Sequence, residues 1–208
     1  MKATEILENE HRVIEQVLAC LEQLAEQSEQ SQELDCVSAR NMIDFFRMFA
    51  DRFHHAKEEQ HLFMVLEAHG MPRDGGPTGV MLSEHELGRG FVGDMEKAVT
   101  DHEKGDATAL HRFVRAAREY VPLLLEHIQK EDHCLFAMTN SALNEKEQEQ
   151  LLQSFLAEEK KNTAGQAPGY YIQKAQELAD RFDVKPRDCG TGMSSSCNHR
   201  GSGACSGH

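Results

Sequence analysis

The chain has 208 residues with a net charge of −13, from 22 Lys and Arg against 35 Asp and Glu, and it carries twelve His, six Cys and no Trp. That length suits one domain with an appendage and is ample for a hydrophobic core. The acidic balance excludes nucleic acid and anionic membranes as main partners, which need clustered Lys and Arg, and no uncharged apolar run reaches the roughly 20 residues of a membrane span. A cytoplasmic location is expected.

The first helix runs from about Thr4 to Gln27, with Leu7, Ile14, Leu18 and Leu21 on one stripe and His11 inside it. The second runs from about Leu34 to His69, where Phe46, Ala50, His54 and Glu58 follow one another in steps of four. It stops at Gly70, before a run rich in Gly and Pro. The third, from about Thr78 to Glu103, aligns Met81, His85, Gly88, Val92, Met95 and Val99 in a packing seam. The fourth, from about Ala107 to Thr139, has Asp106 as its expected N-cap, Pro122 as an expected kink, and His127 and Glu131 in its seam. Asn144 and Glu147 form a capping box for a fifth helix to about Lys161, and Pro168-Gly169 precede a sixth to about Phe182.

No segment alternates with period two, so the chain reads as all-α: an up-down-up-down four-helix bundle over residues 1–140, with two short additional C-terminal helices over 141–185. Residues 186–208 are Gly, Ser and Cys with almost nothing apolar, and read as a flexible tail. Its Cys189, Cys197 and Cys205 are spaced too irregularly for a structural zinc motif, while Cys20, Cys36 and Cys134 read as buried free thiols.

The informative feature is a repeat. Residues 54–63, HHAKEEQHLF, and 127–136, HIQKEDHCLF, agree as H-x-x-K-E-[ED]-x-x-L-F. Glu10-His11 precedes the first copy and Glu84-His85 the second, at His-to-His intervals of 43 and 42 residues. Helices one and two therefore form one half of the bundle and helices three and four its pseudo-symmetric counterpart. His54 and Glu58, like His127 and Glu131, lie one turn apart on one face. Four helices thus aim four imidazoles and two carboxylates at one region of the interior, where uncompensated burial would cost several kcal/mol per group. A metal pair removes that cost. The symmetric assignment places His11 and His54 on one ion and His85 and His127 on the other, with Glu58 and Glu131 bridging. His55 offers a rival register, but Ile128 stands opposite it in the second copy, so His55 is assigned to the rim or the surroundings of the ligands. His61 and Cys134 are aligned with each other two turns on; they form either a polar layer above the metals or a partly exposed histidine and a packed cysteine.

On these motifs the sequence resembles the hemerythrin-like, or HHE cation-binding, family of non-haem di-iron four-helix bundles over about residues 1–140. It is similar above all to the branch of iron–sulfur-cluster repair di-iron proteins, which share KEEQ-x-L-F and G-P-x-x-V-M-x-x-E-H; that branch's Cys-bearing N-terminal domain has no counterpart in these residues. The resemblance implies two non-haem irons, although the same donors also suit Zn or Mn. Oxygen-carrying hemerythrins have H-x-x-x-H on the third helix, whereas here Arg89 follows His85 by four residues. The resulting expectation is an open cluster that binds, senses or reduces O2, NO or peroxide, or handles iron in a stress response, with Glu84, Arg89 and His55 tuning it and an electron donor or protein partner outside the chain. The alternatives are a non-catalytic iron or oxygen sensor and a zinc-stabilised bundle.

Overall fold

The computed structural model describes residues 2–162 and 168–185; the expected tail lies outside them. Six helical rods and no strand occur among the described residues. They are α1 (Ala3–Ser31), α2 (36–68), α3 (Pro77–Glu103), α4 (109–142), α5 (Glu145–Asn162) and α6 (Pro168–Phe182). The first four form the up-down-up-down bundle and the last two pack on it. None is long and apolar enough to cross a membrane.

Local chemistry sets the rod ends. At the end of α2, Gly70 takes a left-handed φ of +88°, its N–H bonds the Glu67 carbonyl and the Met71 N–H bonds that of Leu66, closing a Schellman cap. The chain then folds back on itself so closely that a Cβ at Gly76 or Gly79 would lie 1.9 and 2.0 Å from the Pro72 and Arg73 carbonyl oxygens. The Gly-Pro-x-Gly run that opens α3 is therefore a steric requirement of this turn. Asn144 and Glu147 exchange reciprocal bonds of 2.9 and 3.1 Å, the expected capping box of α5. Asp106 differs from expectation: it accepts from the Thr108 N–H and hydroxyl two residues on, and the helix starts after Thr108. The α4 backbone stays helical through Pro122.

Two stretches of α2 and one of α4 are wound as π-helix: Phe46–His55, Glu58–Leu62 and Glu131–Leu135. The latter two begin at the repeated glutamates and end at the repeated leucines, so the repeat extends to backbone winding. The first belongs to α2 alone. Such wide turns concentrate at functional sites because they re-aim side chains.

The core is divided. One apolar cluster holds Ile14, Phe46, Phe49, Met95, Phe113 and Leu124, joined by Tyr171 and Leu178 of α6. The other holds Leu7, Leu62, Phe63, Met81, Leu135 and Phe136, joined by Leu151 and Phe155 of α5. Between them lies a layer of buried polar side chains.

Candidate metal centre

The dividing layer contains His11, His54, His55, Glu58, His85, His127 and Glu131, all buried. Their donor atoms fall into two groups, each within 4.8 Å: His11, His54, Glu58 and Glu131 in one, and His55, Glu58, His85 and His127 in the other. All six residues anticipated as ligands come together, and Glu58 serves both groups. Glu131 approaches His11 at 3.2 Å and His127 at 3.3 Å.

His55 departs from the sequence reading. It is part of the second group, its ring stacked on His85 with centroids 3.7 Å apart. The rim assignment assumes an α-helical register, in which neighbours diverge widely around the axis; the π-winding of Phe46–His55 narrows that divergence, so His54 and His55 both face inward. The centre thus has five imidazoles, the fifth from α2 and not from α3.

A carboxylate bonds four of the five rings. Asp132 accepts from His11 Nδ1 at 2.7 Å, Glu10 from His54 at 2.9 Å, Glu59 from His85 at 2.7 Å and Glu84 from His127 at 2.9 Å. Asp51 stands 3.5 Å from His55 Nδ1. A proton held at Nδ1 leaves the Nε2 lone pair for the centre, the tautomer that metal ligation needs. The pattern is cyclic: the acid before each α1 or α3 histidine holds the ring of the next helix, and the acid after each repeated glutamate holds the ring on α1 or α3. Lys57 in turn clamps Glu10, and Lys130 clamps Glu84. Phe136 stacks on His11 at 5.5 Å and Phe63 on His85 at 6.0 Å. The constant positions of H-x-x-K-E-[ED]-x-x-L-F thus supply, in order, a ring, a clamp, a central carboxylate, a ring holder and two apolar supports.

Arg89 bonds Asp51, Glu59 and Glu86 at 2.9, 2.7 and 2.6 Å; it thereby fixes the carboxylate that holds His85 and the one that stands 3.5 Å from His55. Glu84 lies where the sequence reading placed it, beside the ligands. His61 meets Glu158 of α5 at 3.3 Å and Cys134 is exposed, so the two form no shared polar layer over the centre.

The residues fit a cation. All four oxygens of Glu58 and Glu131 and the Nε2 of His11 are buried without a hydrogen-bond partner. His85 Nε2 and His127 Nε2 face each other at 3.0 Å, so a proton or a cation must stand between them. In the metal-free protein, burial and the neighbouring Glu131 drive Glu58 well above the usual carboxylate range. Burial drives His55 down to about 3, with His85 adding to it, while Glu131 and Glu84 outweigh burial at His127 and raise it to about 9. Groups pushed this far apart in one dry layer mark a site built for charge.

The hemerythrin HHE cation-binding domain model matches residues 2–139. The chain belongs to this family. Comparison with the curated proteins and with the solved structures finds no match. As a member of the HHE family the chain is a metal-binding protein; α5 and α6 lie beyond the matched domain.

The two groups differ in access. Beside His55 and His85 opens a cavity of about 270 Å³ with Asp51, Arg89 and Glu84 at its polar edge and Phe46, Val92, Tyr120 and Leu124 as apolar walls. Gly88 makes room for it, since a Cβ there would already meet the Tyr120 ring at 3.4 Å. Beside the first group, α5 covers the surface: Glu159 bonds Lys57 at 3.0 Å.

Proposed function

We propose that the chain is a non-haem di-iron protein that binds and reduces O2, NO or peroxide at the His55–His85–His127 group, drawing electrons from an external donor. The observation supporting this reading is a carboxylate shared by two donor groups, the second of which adjoins a cavity. His11, His54, Glu58 and Glu131 would hold one ion and His55, Glu58, His85 and His127 the other. A pair of irons supplies redox equivalents and a coordination position for a small oxidant.

The protein's own residues prepare that position. Phe46, Val92, Tyr120 and Leu124 line one side of the approach with apolar surface, which suits an uncharged diatomic or peroxide. Glu59 and Glu84 accept from the outer nitrogens of His85 and His127 and keep both rings aimed inward. Arg89 neutralises Asp51 and Glu59 at the cavity edge, so the rim does not repel an approaching anion.

The deciding experiment is metal analysis after native purification, with Mössbauer and optical spectra before and after O2, NO and peroxide, followed by steady-state consumption assays. Two coupled irons per chain and turnover of one oxidant support the reading. A reversible oxygen adduct without turnover supports a carrier, binding without turnover a sensor, and zinc alone a structural bundle; each would replace it.

A further inference from the structure

The C-terminal helix α5 reaches the closed half of the centre through one chain of contacts. Glu159 accepts from Lys57 Nζ at 3.0 Å, Lys57 clamps Glu10, and Glu10 accepts from His54 Nδ1 at 2.9 Å. Lys57 is completely buried, with its ammonium 3.8 Å above the centre of the Phe53 ring. A charge in that position depends on its two carboxylates, because no water replaces either. Phe155 of α5 is fully buried in the apolar cluster beneath, and Glu158 of the same helix meets His61. Among the described residues the equivalent surface of the second copy carries no such cover: Lys130 is 41 % exposed and Cys134 is exposed.

We infer that α5 is a clasp coupled to metal binding, with Glu159 a positioning residue that fixes the closed half of the centre through Lys57, Glu10 and His54. The inference rests on the metal-centre reading and adds to it a part of the chain beyond the HHE domain. When α5 is docked, Lys57 has both acceptors and holds Glu10 rigidly, so the His54 ring presents Nε2 to the ion. When α5 lifts, Lys57 turns toward water, Glu10 loses its clamp and His54 its orientation. Coupling of this kind is reciprocal: an ion on His54 and Glu58 must hold α5 down by the factor with which α5 tightens the ion.

The test uses the full chain, stripped and reloaded with Fe(II) under anaerobic conditions. Chelator competition gives the affinity of each ion, and hydrogen exchange of residues 145–162 with and without Fe(II) gives the docking of α5. In the parent protein Fe(II) is expected to slow exchange in α5. Glu159→Gln is expected to weaken one of the two ions about tenfold, as removal of ligand-orienting partners does, leave the other unchanged, and erase most of the Fe(II)-dependent protection. Phe155→Ala, which loosens the same helix from its apolar side, is expected to weaken the same ion. Unchanged affinities in Glu159→Gln together with unchanged protection would overturn the clasp while leaving the metal centre standing. Failure of the parent protein to bind Fe(II), or binding that survives Glu58→Gln, would overturn the centre and the clasp with it. A purely structural role for α5 predicts a lower melting temperature with both affinities intact, and that result also overturns it.

Discussion

The two halves of the bundle are built from one repeat and have become different half-sites. In both, a histidine on the even-numbered helix is held by the acid that precedes the odd-numbered helix's histidine, and a lysine clamps that acid. The first half then acquires a roof, since α5 seals Lys57 beneath Glu159. The second acquires an opening, because α2 contributes His55 through an additional π-wound stretch and a cavity reaches that ring. Duplication thus supplies the ligand geometry. Differences outside the candidate ligands leave the second group beside a cavity and the first beneath α5. The same clamp has a different energetic value on the two sides, being desolvated on one and washed by water on the other.

The largest effect tests what the halves share. Glu58→Gln should cost most of the bound metal at both positions, because Glu58 belongs to both donor groups, whereas Glu131→Gln should first deplete the closed position; metal analysis with chelator competition measures both. Equal and partial loss in the two variants would restore the symmetric assignment. The next effect tests what they do not share. Lys57→Met leaves Glu10 and Glu159 facing an apolar side chain and should destabilise the protein by about 3–5 kcal/mol. Lys130→Met, at a half-exposed position, should cost below about 1 kcal/mol in the same denaturant titration. Similar costs at the two lysines would break the contrast between roofed and open halves.

Much of this arrangement is legible in the repeat. The six ligand candidates, the helix order and the cap at Asn144 follow from spacing alone. The ring-holding acids are legible too: Glu10 matches Glu84 and Glu59 matches Asp132 in the two copies, and Lys57 matches Lys130. An acid that recurs beside a ligand in both copies is a signal for an orienting partner. Other features are beyond reach for physical reasons. Spacing rules misplace His55 because they assume 3.6 residues per turn, and nothing in FRMFADRFHH announces a π-wound backbone. The partners of Arg89 are not legible because Asp51 lies on another helix, 38 residues away. The one-sided cover by α5 depends on how that helix docks, which its own periodicity does not encode.

The fifth imidazole gives a sharper comparison between the halves. His55→Gln should weaken the ion on the open side by at least about tenfold and leave the closed side intact, since removing even an orienting partner has that effect. Loss of both ions, or of neither, would return His55 to the rim.

The smallest effect concerns pH and is confined to the open half. In the metal-free protein, burial of Glu59 is outweighed by its bonds to His85 and Arg89, and its carboxyl is lowered from 4.5 to about 2. A group lowered on folding contributes stability above its unfolded value and loses it as pH falls through the folded one. Glu59 therefore contributes fully above about pH 4.5, and its contribution fades as pH approaches 2. Its side chain is one quarter exposed, so screening leaves a contribution of about 1 kcal/mol. Chelated parent protein and Glu59→Gln should accordingly differ in urea midpoint by a constant amount from about pH 7 to about pH 5, and the two curves should converge below about 4.5. A gap that stays constant down to about pH 3 would mean that Glu59 supports His85 by packing and not by charge, and the open half would then owe its ring orientation to Arg89 and the helix backbone.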